Sequence, residues 1–250
     1  MTTPQLPDTR EIEMKLTAAA PWVLHKADEI FLTMADEPKA RRRYTSHLHY
    51  YDTPKLTLRK HGVLLRTLDA NEPHFDSRIQ IKTAGRANPN SLLIRTEFNL
   101  AAKGNGLRLQ DIKGHTANSF LKPAKRSALK HWFTTITDRT ELRAIYVVGG
   151  KRVMIECALD QVVFRRADTG HEFRSACEIE LEVKTKYSDP TLTDAEAQAA
   201  VRHVANIMSR ALPHLKVNTK SRADAGFGDL AGKMADSRPA TTKKAIRIKR

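Results

Sequence analysis

The chain has 250 residues, of which 40% are hydrophobic, and its 43 Lys and Arg against 28 Asp and Glu give a formal net charge of +15. It has no run of about 18 consecutive apolar residues, and residues 1–10 lack the apolar segment of a signal peptide. These features exclude a helical membrane protein and predict a soluble cytoplasmic protein of one or two domains, with a charge that favours a polyanionic partner.

Alternation of apolar and polar residues with a period of two predicts eight strands. In chain order they cover 9–16, 44–53, 62–68, 77–83, 92–100, 137–148, 151–166 and 175–186. The pair Gly149 and Gly150 predicts a tight hairpin between the sixth and seventh strands, because such turns need positive φ angles. We also expect a break in the seventh strand at Asp160.

Three segments carry helical signals. The first, 21–35, has a proline in its first turn, where the missing N–H is not needed. The second, 108–132, is interrupted by a proline near its end. The third, 192–212, begins with a capping box of Thr193 and Glu196 and continues with an apolar stripe, so it is the strongest of the three.

Eight strands with mostly hairpin connections and a few helices predict an α+β fold. In this fold an antiparallel sheet closes into an eight-stranded β-barrel with flanking helices. The final segment is basic and has little apolar content, which predicts a disordered tail. Such a tail either keeps the protein soluble or binds nucleic acid, and we favour the first role.

Strand after strand carries ionic side chains on a single face. In "EIEMK" the residues Glu11, Glu13 and Lys15 share one side, because side chains alternate along a strand. The same pattern recurs at Arg66, Lys82, Arg95, Glu97, Glu156, Asp160, Glu178, Glu180 and Glu182. One such face alone is compatible with an ordinary solvated sheet surface, but here carboxylates concentrate on some strands and cations on others.

A barrel with a polar lumen accounts for this distribution. Carboxylates in one wall would hold hard divalent cations such as Mg²⁺ or Mn²⁺, and Lys and Arg in the other walls would hold phosphate oxygens. The apolar faces, with Ile12, Met14 and Leu16 on the first strand, would point outward to the helices. Such a lumen suits a linear chain of phosphates.

These residues resemble the CYTH domain family, the triphosphate tunnel metalloenzymes, which comprise thiamine triphosphatases, inorganic triphosphatases and class IV adenylyl cyclases. "EIEMK" matches the family's Glu-x-Glu-x-Lys signature, and "YYDTPKLTLRKHGVLLR" resembles its Tyr-[aromatic]-Asp-Thr-Pro segment with the following Leu-x-Arg and Gly-[apolar]-x-Leu-Arg stretches. "IKTAGR" and "LIRTEFNLA" are similar to a Lys-x-x-Gly strand end and to the Arg-x-Glu-[aromatic]-Asn pattern of the bacterial inorganic triphosphatase branch. The resemblance covers about residues 9–228 and leaves 229–250 as the tail.

The resemblance implies metal-dependent hydrolysis of inorganic triphosphate to pyrophosphate and phosphate. It implies metal binding, by Mg²⁺ or Mn²⁺, at Glu11, Glu13, Glu97, Glu156, Asp160, Glu178, Glu180 and Glu182. It implies binding of the triphosphate by Lys15, Arg59, Arg66, Lys82, Arg95, Arg139, Lys220 and Arg222. The catalytic cations, which stabilise charge in the transition state, would be Lys15, Arg66, Lys82, Arg95 and Arg139. Two points stay open: which strand glutamate is spare, and whether Glu97 binds metal or orients Arg95.

The sequence departs from the family pattern at three positions. Leu68 stands where a second tunnel arginine is usual, Arg222 replaces a lysine, and Ala225 replaces an arginine. The alternatives to an inorganic triphosphatase are therefore hydrolysis of an organic triphosphate, such as thiamine triphosphate or a nucleotide, and a non-catalytic barrel that binds polyphosphate or nucleotides. We expect a triphosphate-containing small molecule as partner, nucleic acid only through the tail, and no membrane, while the oligomeric state is unknown.

Overall fold

The structure, a computed structural model, describes residues 9–70, 77–83, 86–87, 92–102, 106–124 and 129–236. The chain divides into two compact units, residues 1–219 and 220–250. The strands are β1 (Thr9–Ala18), β2 (Glu37–Asp52), β3 (Val63–Ala70), β4 (Arg78–Thr83), β5 (Arg86–Ala87), β6 (Leu92–Ala101), β7 (Lys130–Val148), β8 (Lys151–Arg166), β9 (Glu172–Val183) and β10 (Leu215–Val217). The α-helices are α1 (Pro21–Thr33), α2 (Thr57–Lys60), α3 (Asp194–Ala211) and, in the second unit, α4 (Arg222–Asp236). Short 3-10 helices cover 109–111, 116–124 and 185–187.

Eight strands of the first unit form a closed antiparallel ring. Its order is β1, β9, β8, β7, β2, β3, β4, β6 and back to β1. The ring is closed between β1 and β6, where Glu11 lies opposite Arg95. The two remaining strands, β5 and β10, pair with β6 and β1. The predicted α+β fold, an eight-stranded antiparallel barrel with flanking helices, is confirmed.

The outer face of the ring is apolar and covered on two sides. Ile12, Met14 and Leu16 of β1 are at most 4% exposed and belong to one cluster with α1 and α3. A second cluster contains Ile81 of β4 and packs under α2 and the 3-10 helix 116–124. Each square ångström of apolar surface removed from water contributes about 25 cal/mol, so this burial fixes the face of each strand that looks outward.

The hairpin between β7 and β8 has the predicted turn. Gly149 and Gly150 have φ angles of +59° and +79°, which suit a two-residue turn with the twist of the flanking strands. The expected break at Asp160 is wrong, because β8 runs unbroken to Arg166. Asp160 faces the lumen and accepts hydrogen bonds from Arg139 of β7, so its carboxylate is satisfied within the strand.

The helix predicted over 108–132 is wrong as a single element. The chain forms 3-10 helices over 109–111 and 116–124, and β7 begins at Lys130. Pro123 lies inside the second of these 3-10 helices, and a proline removes a backbone donor that a longer α-helix would need.

Other boundaries also differ from the predicted ones, since β7 begins at Lys130 rather than at residue 137 and β9 covers Glu172–Val183 rather than 175–186. Strand β2 begins at Glu37 rather than near residue 44, and its first residues are mostly exposed and charged, so they lack an apolar alternation. Helix α4 runs to Asp236, so the boundary predicted at residue 229 falls inside a helix. Residues 237–250 lie outside the described residues, and the expectation of a disordered tail there stays a prediction.

None of the described helices is long and apolar enough to cross a membrane.

Helix α3 begins with the predicted capping box. Thr193 Oγ1 accepts a hydrogen bond from the Glu196 backbone N–H at 3.3 Å, and Glu196 Oε2 accepts one from the Thr193 backbone N–H at 2.7 Å.

We expect Thr193→Ala to lower the free energy of unfolding by about 1 kcal/mol, as measured by urea denaturation. Asn206→Ala, at an exposed position of the same helix, should cause no loss. Equal effects of the two changes would contradict a role for the cap.

Candidate functional site

The ionic faces of the ring strands meet inside the ring. Glu11, Glu13 and Lys15 of β1 are 5%, 3% and 5% exposed although all three are ionisable. The residues between them pack outward, so alternation turns these three side chains into the lumen. A buried charge persists only when it is paired or hydrogen-bonded, and the partners therefore define the site.

Glu11 lies between two cations of neighbouring strands. Lys82 Nζ donates to Glu11 Oε1 at 2.9 Å, and Arg95 Nε donates to Glu11 Oε2 at 2.7 Å. Burial alone would raise the pKa of Glu11, but Lys82, a hydrogen bond with Glu97 and Arg95 together lower it well below its usual range. Glu11 is therefore ionised and tied to the cationic wall.

Glu97 shares Lys82 with Glu11. Lys82 Nζ lies 2.7 Å from Glu97 Oε2, while Gln80 Nε2 donates to Glu97 Oε1 at 2.7 Å. Burial and the nearby Glu11 raise the pKa of Glu97 despite Lys82. Gln80 in turn accepts a hydrogen bond from Arg66 Nε at 2.7 Å, so it links Arg66 to the same network.

Glu13 carries a buried oxygen that lacks a hydrogen-bond donor. Its Oε1 lies 2.7 Å from Arg95 Nη2 and 3.9 Å from Lys15 Nζ, but neither contact has the geometry of a hydrogen bond. Among the described residues no other donor reaches this atom. This oxygen is therefore held by an ion pair with Arg95 and lacks a hydrogen bond, so an added cation is one further partner it could take.

Arg139 joins two carboxylates of the opposite wall. Its Nε and Nη2 donate to the two oxygens of Asp160 at 2.7 and 2.6 Å, and Nη2 also donates to Glu180 at 2.9 Å. Glu180 further accepts a hydrogen bond from Lys15. Burial would lower the pKa of Arg139, but Asp160 and Glu180 raise it, so the guanidinium stays charged.

Three lumen residues on β2 and β7 were missed by the sequence analysis. Arg42 Nη2 lies 2.7 Å from Glu141 Oε1, and Arg143 Nη2 lies 3.0 Å from the same oxygen. Arg143 also donates to Glu156 at 2.8 Å. The stretch "RTELR" carries the signal, because Glu141 and Arg143 continue the alternation that begins at Arg139.

Lys184 is a further missed residue, just beyond the end of β9. Its Nζ lies 3.0 Å from Glu156 and 2.8 Å from Glu182. "EIELEVK" carries the signal, because Lys184 follows Glu178, Glu180 and Glu182 at the same spacing of two. Burial, together with Glu11 and Glu156, raises the pKa of Glu182 to about 8 even though Lys184 opposes this shift.

The remaining predicted residues occupy different places. Glu178 is 5% exposed and lies directly opposite Asp160 on the neighbouring strand. Arg59 lies on α2, outside the ring strands. Lys220 and Arg222 belong to the second unit, so their part in the site stays a prediction.

The position of Leu68 matches the expectation of an absent lumen cation. Leu68 is half-buried and shares its strand face with Arg66, two residues away. Its ladder partners are Leu48 of β2 and Arg78 of β4. The lumen face of β3 therefore carries the apolar side chain of Leu68 beside Arg66.

The donor chemistry of the lumen fits a hard divalent cation. Its acidic side chains offer only carboxylate oxygens, the ligands preferred by Mg²⁺ and Mn²⁺. Over the described part of the chain no three His, Cys, Asp or Glu side chains are grouped as a ready metal site, because Lys and Arg hold most of these carboxylates. Glu13 Oε1, which has no hydrogen bond, and Glu182, whose pKa is raised by burial and by neighbouring carboxylates, are the positions at which an added cation would relieve an existing cost.

Comparison with known proteins bears on the fold. No protein-family model matches the sequence, and comparison with curated proteins gives no match. Among solved structures, one similar to this chain is a candidate adenylate cyclase from Bacillus halodurans, with 15% identity, a TM-score of 0.50, and coverage of 87% of this chain and 98% of that chain. Another is the protein PH1819 from Pyrococcus horikoshii, with 17% identity, a TM-score of 0.50, and coverage of 90% and 99%.

A third similar structure is a candidate adenylyl cyclase from Hippeastrum, described as having a dominant triphosphatase activity. It has 14% identity, a TM-score of 0.47, and coverage of 87% of this chain and 95% of that chain. The two structures with a TM-score of 0.50 confirm, at the level of the fold, the resemblance found in the sequence.

Glu182 makes the stability of the metal-free protein depend on pH. Its pKa is about 8 in the folded protein and near the ordinary 4.5 when unfolded, so the folded state binds the proton more tightly. The free energy of unfolding should then fall as pH rises from 4.5 to 8. The Glu182→Gln side chain cannot ionise, so the variant should be more stable than the wild type at pH 9 by about 1–2 kcal/mol. This difference is smaller than the full pKa shift would give, because solvent screens a partly exposed side chain.

Urea denaturation in the presence of a chelator measures this difference. At pH 4 the wild type and the variant should be equally stable, since Glu182 is then protonated in both states. Glu172→Gln, at an exposed position of the same strand, is the matched control and should show no such pH-dependent gain. A variant that is less stable than the wild type at pH 9 would contradict the raised pKa.

Proposed function

We propose that this chain is a triphosphate tunnel metalloenzyme of the CYTH family. It hydrolyses inorganic triphosphate to pyrophosphate and phosphate inside the ring, with Mg²⁺ or Mn²⁺ as cofactor. The observation that carries the proposal is the lumen, where buried Lys and Arg side chains and buried carboxylates of neighbouring strands pair with one another while the apolar faces point outward. A linear polyanion together with a divalent cation complements both kinds of charge.

Binding would exchange one set of ion pairs for another. Arg95 and Lys15 are now shared with the carboxylate of Glu13, and Arg139 is held by Asp160 and Glu180. When triphosphate binds, these cations turn towards phosphate oxygens, and the carboxylates they leave become free to bind a cation. Substrate and metal therefore favour each other's binding. The phosphates pair with the cations, the metal pairs with the carboxylates that those cations leave, and no buried charge stays without a partner.

The carboxylates suited to the metal lie around Glu13, where Glu182 is its ladder partner on β9 and Glu180 is the ladder partner of Lys15. A hard divalent cation held by Glu13, Glu180 and Glu182 would supply neutralisation of phosphate charge and a bound water of lowered pKa. Glu11 stays with Lys82 and Arg95 and keeps the cationic wall in place. This assigns different tasks to the two glutamates of "EIEMK".

The cations of the lumen act on the phosphate chain. Lys82 and Arg95 are held on adjacent strands by Glu11, so they present fixed positive charge to one side of the substrate. Arg66 and Arg139 approach from other walls of the ring. As water attacks phosphorus and the P–O bond to the leaving pyrophosphate breaks, negative charge moves onto the leaving oxygens, and preorganised cations stabilise that change.

Substitution of Glu13 tests the proposal. Glu13→Gln keeps the shape of the side chain but removes the negative charge, so we expect hydrolysis of tripolyphosphate to fall by at least about 100-fold. Phosphate release with Mg²⁺ or Mn²⁺ measures the effect, and thiamine triphosphate and ATP in parallel assays rank the alternative substrates. The control Glu172→Gln, on β9 at an exposed position, should keep full activity.

Two outcomes would contradict this function. Wild-type protein that binds tripolyphosphate but releases no phosphate from any of the three substrates would indicate a non-catalytic polyphosphate-binding barrel. Faster hydrolysis of thiamine triphosphate or ATP than of tripolyphosphate would assign the lumen to an organic triphosphate. If Glu13→Gln kept its activity, the proposed role of Glu13 as a metal ligand would be wrong.

A further inference from the structure

One row of side chains crosses four neighbouring strands of the lumen. Tyr50 of β2 lies opposite Arg66 of β3, Arg66 lies opposite Gln80 of β4, and Gln80 lies opposite Asn99 of β6. The alternate residues of β3, β4 and β6 belong to the apolar cluster outside the ring, so the side chains of this row point into the lumen. Arg66 is the charged member of a row that is otherwise neutral.

The amide of Gln80 is fixed by partners on both of its sides. Arg66 Nε donates to Gln80 Oε1 at 2.7 Å, while Gln80 Nε2 donates to Glu97 Oε1 at 2.7 Å and to Asn99 Oδ1 at 2.8 Å. A guanidinium has donors and no acceptor, so the amide oxygen must face Arg66 and the amide nitrogen must face the other two residues. Gln80 is 8% exposed, and its amide is therefore held in one orientation.

Gln80 stands between Arg66 and the carboxyl group of Glu97. Glu97 is held by Gln80 on one oxygen and by Lys82 Nζ, at 2.7 Å, on the other. Arg66 donates to the Gln80 amide oxygen and, at 3.4 Å, to the Tyr50 hydroxyl, and both acceptors are neutral. In the part of the chain that the structure describes, Arg66 forms no ion pair and its Nη2 has no hydrogen-bond acceptor.

Other lumen cations differ from Arg66, because each is paired with a carboxylate at 3.0 Å or less. They are Lys15, Arg42, Lys82, Arg95, Arg139, Arg143 and Lys184. An anion that binds one of these cations breaks an ion pair and leaves a carboxylate without its partner, which is costly in a protein interior. An anion that binds Arg66 displaces no carboxylate.

We propose that Gln80 is a positioning residue that holds Arg66 without neutralising it, so that Arg66 binds a phosphate group before any metal is present. The planar fork of the guanidinium suits two oxygens of one phosphate group. This inference rests on the proposed triphosphatase function and deepens it with an order of events. Arg66 holds the first phosphate group, and the ion pairs of the other cations open when a metal takes their carboxylates.

Titration of tripolyphosphate into the full chain in the presence of a chelator tests the role of Arg66. Calorimetry should detect binding to the wild type, and Arg66→Met should raise the Kd at least about tenfold. Arg41→Met is the matched control, because Arg41 is 63% exposed and pairs with Asp28 on α1, outside the ring. Its Kd should stay within about twofold of the wild type. No binding without metal, or equal effects of the two variants, would overturn the proposal.

Two substitutions of Gln80 test its role in the same metal-free titration. Gln80→Glu keeps the shape of the side chain but places a carboxylate beside Arg66, so the Kd should rise at least about tenfold. Gln161→Glu, at an exposed position of β8, is the matched control and should change the Kd little. Gln80→Met removes the acceptor of Arg66 without adding charge and should raise the Kd about threefold. Unchanged binding in both Gln80 variants would overturn the role of Gln80.

A double-mutant cycle separates positioning of Arg66 from a general structural role. If Gln80 acts through Arg66, Gln80→Met should cause no further loss of metal-free binding in a chain that already carries Arg66→Met. Circular dichroism and thermal unfolding of each variant report whether the fold is intact. An equal loss in the presence and in the absence of Arg66 would overturn the proposal, because Gln80 would then act on the lumen as a whole.

Metal-free binding is measured apart from hydrolysis, so this inference and the proposed function can fail separately. Protein that binds tripolyphosphate through Arg66 but releases no phosphate with Mg²⁺ or Mn²⁺ would contradict the proposed function and support the role of Arg66. Protein that hydrolyses tripolyphosphate, but binds it without metal equally well in the wild type and in Arg66→Met, would overturn this inference alone.

Discussion

The cost of burying ionised side chains governs this molecule, because the ring turns its charged strand faces inward. An unpaired charge in a protein interior costs several kcal/mol. Lys15, Arg95 and Arg139 each lie within 4 Å of two carboxylates, and this pairing offsets the cost for the cations as well as for the carboxylates. The lumen is therefore a set of internal salt links, and the proposed substrate would bind by replacing them rather than by filling an empty cavity.

The outward packing and the inward charge depend on each other through the strand period. Ile12, Met14 and Leu16 can pack under α1 and α3 only because Glu11, Glu13 and Lys15 have partners inside the ring. A register shift of one residue would bury the charges under the helices and turn the apolar residues into the lumen. Pairing between lumen cations and carboxylates thus specifies the strand register as well as the site.

The sequence predicted the parts of this arrangement that depend on local pattern. The period of two in "EIEMK" and "CEIELE" was sufficient to place their charged faces together, and the capping box marked the start of α3. The pairings, by contrast, depend on register between distant strands. Nothing near Lys184 in the sequence shows that it reaches Glu156, 28 positions earlier.

The closure of the ring also has a consequence for the order of assembly during synthesis. Strand β1 is made first, but one of its edges pairs with β9, and the other pairs with β6 and β10. Its partners lie up to residue 217, so its contacts span most of the chain, and contacts of long sequence separation slow folding. Glu11 can meet Lys82 and Arg95 once β6 has been made, but Lys15 gains its partner Glu180 only after residues near 180 have been synthesised, so the ring cannot close before most of the chain has emerged.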